Sequence, residues 1–440
     1  MLELNETRTE PDRAVLVGLY ATDGDRTPEL SLDELHSLVE AAQGVPVGRV
    51  TQRRGLARHG VRPVDGATYI GKGKVEEVKE MMMEEDANLV VFDNELSPAQ
   101  IRELETRLEC RVIDRSELIL DIFASRARTR AAMLQVELAQ LEYTAPRLRG
   151  MWSHLERQQG GGGAASGGIG TRGPGEQQIE IDRRIVQKRL SLLRNELEQI
   201  QKRRDREVLA RNAKVWTVGL VGYTNAGKST LLNALTDAGA YAADQLFATL
   251  DTVSRRWAVR PGVDVPVSDT VGFVRDLPHH LVASFRSTLS EALHADLLLH
   301  VVDVSHPEAL DQVRAVHGVL SELDVDDQRI IGVLNKIDAL EDETTLAAIR
   351  TAFSSSVLIS AKTGSGLDKL AEQVIARRSK DWAELEVLIP HSESRLTSLA
   401  HEHGEILSES WTDDGWLAHV SVPQAIRWQL APFTYVASEE

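Results

Sequence analysis

Cysteine is almost missing from this 440-residue chain, since Cys110 is the only one. A single thiol excludes an intrachain disulfide and metal sites built from paired cysteines, and it suits a reducing compartment. Long apolar runs are also missing: the longest, such as Leu297 to Val302, are strand-sized, which argues against a membrane-spanning helix. The first residues are acidic and polar, unlike a signal peptide. We therefore expect a cytoplasmic protein without a membrane span. As a separate expectation, the free protein is a monomer.

Aromatic residues are scarce at 5%, but 42% of the residues are hydrophobic and 27% are charged, as in ordinary globular proteins. The net charge of -17 would disfavour nucleic-acid partners if it were spread evenly, because phosphate backbones attract Lys and Arg. Residues 111–213, however, hold 19 Lys/Arg against 13 Asp/Glu, a local charge of +6. Charge alone favours the plainer explanation that long helices are rich in Arg and Lys. A nucleic-acid contact is the alternative.

Strands and helices alternate through residues 1–114. Helical periodicity starts at Ser31, at Lys74 and at the Ser97-Pro98 cap, and apolar runs predict strands at 14–20, 45–52, 88–94 and 110–114. This alternation predicts a small α/β domain with a largely parallel sheet. The loop Gly71 to Lys74 has no motif spacing, so we interpret it as a structural turn.

Residues 115–213 predict a long antiparallel helical pair whose apolar stripes face each other. The stripe of residues 115–159 is formed by Leu118, Ile122, Met133, Leu134, Leu138 and Leu141, and that of 178–212 by Ile181, Ile185, Leu190, Leu193, Leu197 and Ile200. The Gly-rich tip loop between them, residues 160–176, cannot hold a helix. A plain linker needs only a few residues. A long tip flanked by Arg157, Arg172, Arg183 and Arg184 favours contact with a nucleic-acid backbone.

A phosphate-binding loop follows the apolar strand 217–223 and opens a helix. It has the form G-x-x-x-x-G-K-S in the strand-to-helix context that makes the motif specific. Its backbone N–H groups converge on phosphates, Lys228 neutralises the β and γ phosphates, and the Ser229 hydroxyl binds Mg²⁺. The residues assigned to nucleotide binding are Gly222, Tyr223, Thr224, Asn225, Ala226, Gly227, Lys228 and Ser229.

Two later motifs identify the base as guanine. The strand 330–334 ends in Asn335, Lys336, Ile337 and Asp338, and the strand 357–360 ends in Ser360, Ala361 and Lys362. The Asp338 carboxylate accepts hydrogen bonds from N1 and N2 of guanine, a polar match that rejects adenine. The stem of Lys336 covers one face of the base, Asn335 ties this loop to the phosphate-binding loop, and a backbone N–H near Ala361 meets guanine O6.

Two segments between these motifs are predicted to sense the γ-phosphate and to relax when it leaves. One is Asp269, Thr270, Val271 and Gly272: Asp269 holds Mg²⁺ through water and the Gly272 N–H bonds the phosphate. The other is Phe247, Ala248, Thr249, Leu250 and Asp251, in which Thr249 is the second Mg²⁺ hydroxyl and Thr252 is its rival by distance. The predicted catalytic residues are Lys228, Thr249 and Gly272, with Ser229 and Thr249 as direct metal ligands.

Phe273 follows Gly272, at the position where many GTPases have the Gln that orients the attacking water. A phenyl ring cannot orient water, so we expect slow intrinsic hydrolysis that a partner accelerates. Other candidates are interpreted as structural. His279 and His280 are expected at the surface, His401 and His403 lack a zinc pattern, and Met81 to Met83 form helix core or a contact surface.

The five motifs in this order resemble the Obg-HflX branch of translation-factor GTPases, in which a hydrophobic residue such as Phe273 commonly replaces the Gln. Residues 128–143, RTRAAMLQVELAQLEY, resemble a hallmark segment of the HflX family. So does the run GGxGTRGPGExxxExDRR at 167–184, with matching residues Glu176, Glu180, Asp182, Arg183 and Arg184. With the segment YIGKGKV at 69–75, the resemblance covers about residues 14 to 379.

This resemblance implies a ribosome-associated GTPase that binds the large ribosomal subunit and its rRNA in the GTP state and splits stalled ribosomes under stress. The expected α/β architecture is an N-terminal α/β domain (1–114), the helical pair (115–213), a G domain with a mostly parallel doubly wound sheet (214–379) and a small C-terminal α/β domain (380–440). In the C-terminal domain, residues 386–390 predict a strand and residues 394–407 predict a helix. A metabolic P-loop enzyme and a nucleotide-bound protein scaffold are the competing interpretations.

Overall fold

The computed structural model describes residues 11–21, 28–57, 60–61, 64–159, 174–212, 215–236, 253–260, 263–270, 272–274, 294–340 and 344–435. These residues form two compact units, one up to Leu197 and one from Glu198 onward, so that the boundary falls inside a long helix. Within the described ranges, no helix is both long and apolar enough to cross a membrane.

The first unit contains a four-stranded parallel sheet in the order β2-β1-β5-β6. The strands are β1 (Arg13–Ala21), β2 (Val45–Arg54), β5 (Leu89–Phe92) and β6 (Arg111–Asp114), and the helices between them are α1 (Pro28–Ala41), α2 (Lys72–Glu84) and α3 (Pro98–Leu108). Ser97 begins α3 through a capping box with Gln100. The predicted alternation is therefore present.

Three details of this unit differ from the sequence-based expectation. A short antiparallel hairpin, β3 (Leu56–Ala57) and β4 (Gly60–Val61), was not predicted. Lys72 and Lys74 lie in the first turn of α2 and not in a loop, with Gly71 as the N-cap. Of the three methionines, Met82 is buried in the core whereas Met83 is exposed.

The middle region forms three helices where two were predicted: α4 (Arg115–Arg126), α5 (Arg130–Gln159) and α6 (Pro174–Asn212). Ion pairs link α5 to α6, namely Arg130–Glu196, Arg189–Glu137 and Arg194–Glu142. The proposed apolar stripes are only partly buried, because Met133 is 52% exposed and Ile185 is 61% exposed. Residues 160–173 of the Gly-rich tip lie outside the described residues. The last three residues of the predicted tip, 174–176, are already helical, because α6 begins at Pro174, a residue type that the first turn of a helix accepts.

The second unit contains a six-stranded sheet in the order β12-β11-β10-β7-β9-β8, which is parallel except for the edge strand β8. The strands are β7 (Val218–Gly222), β8 (Val253–Arg260), β9 (Val263–Asp269), β10 (Leu297–Asp303), β11 (Ile330–Asn335) and β12 (Ser356–Leu358). The described helices are α7 (Lys228–Thr236), α8 (Ala309–Glu322), α9 (Thr344–Thr351) and α10 (Leu367–Asp381). Parallel strands end at one edge of a sheet, and the loops at that edge carry the predicted motifs.

The chain ends in a three-stranded antiparallel sheet in the order β13-β15-β14, with helices α11 (Ser394–His403) and α12 (Gln424–Leu430). Its strands are β13 (Trp382–Ile389), β14 (Glu405–Thr412) and β15 (Gly415–Pro423). The sequence predicted that the helix from Ser394 would continue to Leu407, but it ends at His403. The following segment joins β14 because its residues pair with β15.

Candidate functional site

The phosphate-binding loop lies between β7 and α7, where the sequence predicted it. Gly222 and Gly227 both have positive φ angles, of 150° and 93°. A Cβ atom at Gly222 would lie 2.3 Å from the Val301 carbonyl oxygen, and one at Gly227 would lie 2.3 Å from Nδ2 of Asn335. Both positions therefore require glycine for conformation and for space, and the loop can pass close to the neighbouring strands.

Lys228 is buried in the first turn of α7. Its Nζ donates hydrogen bonds to the carbonyl oxygens of Gly222 (3.1 Å) and Tyr223 (2.8 Å), so the ammonium lies within the loop itself. Burial lowers the pKa of Lys228 to about 8, and the nearby Asp269 carboxylate opposes that shift. A phosphate bound beside the ammonium would stabilise the charged form further, because a nearby anion raises the pKa of a lysine.

A hydroxyl and a carboxylate meet beside this lysine. Ser229 Oγ donates a hydrogen bond of 2.8 Å to Asp269 Oδ2, which joins the start of α7 to the end of β9. Thr270, the next residue, donates from Oγ1 to the Leu220 carbonyl at 2.7 Å. A Cβ atom at Gly272 would lie 3.0 Å from Lys228 Nζ, so Gly272 borders the space around the ammonium.

Phe273 is buried in a core cluster with Val221, Tyr223 and Leu298. Its backbone is joined to the phosphate-binding loop on both sides, because Phe273 N–H donates to Gly222 O (3.1 Å) and Thr224 N–H donates to Phe273 O (2.7 Å). The phenyl ring thus contributes to packing, and it brings no polar group toward the loop.

Asn335 joins three loops of the site. Its Nδ2 donates to the Ala226 carbonyl in the phosphate-binding loop at 2.9 Å. Its Oδ1 accepts from the Ala361 N–H in the loop after β12, also at 2.9 Å. The side chain is buried, so both bonds lie in the interior. The loops predicted to bind phosphate and base are therefore brought together by one amide.

The carboxylate of Asp338 is exposed beside these loops. A hydrogen bond with the side chain of Ser360 is the main reason that the pKa of Asp338 is lowered, and Lys362 and Lys336 lower it further. The carboxylate is therefore an acceptor at neutral pH. Ser360 is itself fully buried and accepts from the Thr363 N–H at 3.2 Å.

Several predicted site residues lie outside the described residues. They are Phe247, Ala248, Thr249, Leu250, Asp251, Thr252, Val271, His279 and His280. Of the two histidines for which no zinc pattern was found, His401 packs against Trp416 and lies 3.4 Å from Glu409.

Two residues of β10 near the site were not identified from the sequence. Asp303 ends the strand and its Oδ2 lies 2.6 Å from Lys336 Nζ. His300 is buried in the same strand, with its ring 5.1 Å from that of His317 and 5.2 Å from that of Phe353. The sequence did contain a signal for Asp303, because this aspartate ends the apolar run LLLHVVD one strand before the Asn335 loop.

Comparison with known proteins agrees with this geometry along most of the chain. Residues 29–124 match a family described as GTP-binding GTPase N-terminal, residues 126–211 match GTP-binding GTPase Middle Region, and residues 217–336 match 50S ribosome-binding GTPase. The GTPase HflX of Lacrimispora saccharolytica is 44% identical over 436 residues, which cover 98% of each chain. The chain belongs to the HflX family of GTPases. The HflX proteins of Escherichia coli K12 and Caldanaerobacter subterraneus are 45% and 40% identical over 406 and 431 residues.

Membership in the HflX family makes the chain a GTP-hydrolysing enzyme with a GTP-binding domain. The match spans the N-terminal unit and the helices as well as the six-stranded sheet, since the Escherichia coli HflX alignment covers 92% of both chains. The resemblance inferred from the motifs is therefore confirmed at the level of the whole chain. The residue-by-residue assignments of the site remain predictions.

Proposed function

We propose that this HflX-family GTPase binds the large ribosomal subunit in its GTP state and separates stalled or idle ribosomes into subunits under stress, in the cytoplasm. The observation that carries the proposal is the match of residues 217–336 to a family described as 50S ribosome-binding GTPase. The local charge of +6 in residues 111–213 supports a contact with rRNA, because neutralising phosphates requires clustered Lys and Arg.

The residues near Lys228 fit a magnesium ion bound together with GTP. The supporting observation is the 2.8 Å contact between Ser229 Oγ and Asp269 Oδ2, since hydroxyl and carboxylate oxygens are the ligands that Mg²⁺ prefers. We assign Ser229 and Thr249 as direct ligands and Asp269 as a ligand through water. A bound Mg²⁺ neutralises charge on the phosphates during transfer of the terminal phosphoryl group to water.

The chain's own groups bind and orient the triphosphate. We assign the Lys228 ammonium to the β and γ phosphates and the backbone N–H groups of residues 222–229 to the phosphate oxygens. Phosphate binding needs little rearrangement of the buried ammonium, because the carbonyls of Gly222 and Tyr223 already hold it in place. The Gly272 N–H is assigned to the γ-phosphate, and its bare Cα leaves room for that approach.

Intrinsic hydrolysis is proposed to be slow and to be accelerated by the ribosomal partner. Phe273 is buried among apolar side chains, so the residue after Gly272 offers no hydrogen bond to an attacking water. Stimulation of hydrolysis by purified large subunits, and not by small subunits, is the expected result. A rate that is fast without ribosomes would contradict this part of the proposal.

Guanine recognition is assigned to Asp338, and its replacement gives a direct test. In Asp338→Asn an N–H donor replaces one acceptor oxygen. The side chain then no longer accepts a hydrogen bond from the N2 amino group of guanine, but it can donate one to the C2 carbonyl of xanthine. We expect GDP affinity to fall about 100-fold or more while XDP binding improves, measured with fluorescent nucleotides. Asp368→Asn, at an exposed position in the first turn of α10, is the control and keeps wild-type GDP affinity.

The ribosome proposal is tested by sedimentation with separate ribosomal subunits, in GDP and in a non-hydrolysable GTP analogue. We expect the protein to pellet with the large subunit in the analogue and to stay in the supernatant in GDP. A gradient of intact ribosomes should then show conversion to subunits when protein and analogue are added. Equal pelleting in both nucleotides, or with the small subunit alone, would overturn the proposal.

A further inference from the structure

Asp303 has no assigned role, yet its carboxylate lies next to the base-recognition loop. It is the last residue of β10 and is paired in register with Asn335 of β11. Its Oδ2 lies 2.6 Å from Lys336 Nζ. Its Oδ1 accepts from the Ser305 N–H at 3.0 Å and from Ser305 Oγ at 2.6 Å. Because both oxygens have partners, the orientation of the carboxylate is fixed.

Lys336 lies in the loop that follows β11, where a side chain without a partner would be mobile. Its backbone is in the left-handed region, with φ of 64° and ψ of 34°, directly after the end of β11. A lysine at a partly exposed loop position ordinarily samples many rotamers, and ordering it on ligand binding costs free energy. An anchor that already holds the ammonium removes part of that cost.

The position of Asp303 also sets the direction of the lysine stem. In the sheet order β12-β11-β10-β7, the strand β10 lies between β11, which carries the Lys336 loop, and β7, which carries the phosphate-binding loop. An ion pair with the end of β10 therefore draws the ammonium toward the phosphate-binding side of the sheet edge. The four-carbon stem then lies along that edge.

Burial distinguishes this contact from an ordinary surface ion pair. The side chain of Asp303 is only 13% exposed and that of Lys336 is 32% exposed. Exposed pairs are weakened by water and by side-chain motion, whereas a carboxylate held by two hydrogen bonds and shielded from solvent loses less. The Asp303 to Lys336 contact can thus act as a structural constraint on the loop.

We propose that Asp303 is a positioning residue for nucleotide binding, which holds Lys336 so that its stem is pre-arranged against one face of the guanine base. This inference rests on the proposed role of residues 335–338 in binding the base. Because the stem covers a face and not the edge of the base, Asp303 sets the affinity for GTP and GDP equally. The choice among purines is left to Asp338.

The test is a double-mutant cycle between Asp303 and Lys336, read by nucleotide affinity. Asp303→Asn keeps the size of the side chain and an acceptor for Ser305 but removes the charge. We expect GDP and GTP affinity to fall by the same factor, about three- to tenfold, with an unchanged preference for guanine over xanthine. In a Lys336→Met background, Asp303→Asn should have no further effect, because its partner is gone.

Asp326→Asn is the matched control. Asp326 Oδ1 also accepts the N–H of the residue two positions later, Gln328, at 2.9 Å, and it forms no described ion pair with a lysine. It should keep wild-type affinity. The inference is overturned if Asp303→Asn binds GDP like wild type. It is also overturned if Asp303→Asn lowers GDP affinity as much in the Lys336→Met background as in the wild-type background. If the proposed function itself is wrong, the unmutated protein will show no preference for guanine nucleotides. That result distinguishes failure of the proposed function from failure of the Asp303 inference.

Discussion

At the scale of single residues, Asn335 connects the loops of the site. Its amide joins the phosphate-binding loop at Ala226 to the loop at Ala361, and both bonds are buried. In Asn335→Ala the Ala226 carbonyl and the Ala361 N–H lose their partners, at a cost of about 1–3 kcal/mol for each buried group. We therefore expect guanine-nucleotide affinity to fall about tenfold or more, measured by titration with fluorescent GDP.

Asn94 provides the control for this prediction. Its side chain also makes two hydrogen bonds to backbone, accepting from Leu19 N–H at 2.8 Å and donating to Leu19 O at 3.1 Å, but it lies in the first unit. Asn94→Ala should lower the stability of that unit and leave nucleotide affinity as in wild type. If Asn335→Ala binds GDP normally, the three loops do not depend on the amide.

At the scale of elements, β10 combines a binding role at its end with a pH-dependent group in its middle. His300 is fully buried, and its pKa is lowered well below the usual value by burial first and then by His317 and Lys228. A histidine in an unfolded chain takes up a proton below about pH 6.5. The folded protein does not, so the unfolded state binds more protons there and stability falls as pH falls.

We expect this histidine to contribute a slope that approaches about 1.4 kcal/mol per pH unit at about pH 5.5, is about half of that at pH 6.5 and is close to zero above about pH 7.5. The free energy of unfolding in urea, measured across that range, checks the slope. In His300→Leu the wild-type slope should decrease, even if the absolute stability changes. Val301→Ala, at a buried position of the same strand that carries no titratable group, is the control and should keep the wild-type slope. Parallel slopes for all three proteins would contradict the prediction.

At the scale of the whole molecule, the main hydrophobic clusters of the described residues each lie within one of the two units. One core surrounds the four-stranded sheet, with Val15, Phe92 and Leu104, and the other surrounds the six-stranded sheet, with Leu220, Val267 and Val333. The C-terminal sheet belongs to the second unit. The buried Arg378 of α10 links it there, because its guanidinium donates to Glu384 of β13 (2.9 Å) and to Ser421 of β15 (2.7 Å).

Separate cores predict two thermal unfolding transitions. GDP should raise the midpoint temperature of only one of them. The proposed nucleotide site lies wholly in the second unit, so its transition, including the C-terminal sheet, should be stabilised by about 2.7 kcal/mol at 100 times the dissociation constant. Differential scanning calorimetry with GDP, and with ADP as the control, measures this. A shift of both transitions by GDP, or an equal shift by ADP, would contradict it.

The local elements and the motifs could be predicted from the sequence, because they depend on neighbouring residues. Alternation of apolar runs and helical periods predicted the parallel sheet of the first unit, and the strand before Gly222 predicted where the phosphate-binding loop would lie. The local sequence pattern gave a wrong prediction where contact with a distant strand determines the structure. Glu405 to Leu407 continue a helical pattern, but they form part of β14 because β14 pairs with β15. The break between α4 and α5 was also missed, although Thr129 accepts a hydrogen bond from the Ala132 N–H at the start of α5. The exposure of Met133 and Ile185 was missed because burial depends on the assembled fold.

The chemical identity of the site was predicted from the sequence, since spacing together with the preceding strands indicates the G-x-x-x-x-G-K-S loop and the aspartate after Asn335-Lys336-Ile337. Only the tertiary structure decided which other groups meet there. Asp303 lies 33 residues before Lys336, and no local rule joins them; the parallel pairing of β10 with β11 does. Burial is likewise a property of the assembled fold, so the lowered pKa of His300 and the packed ring of Phe273 could not be predicted from residue type.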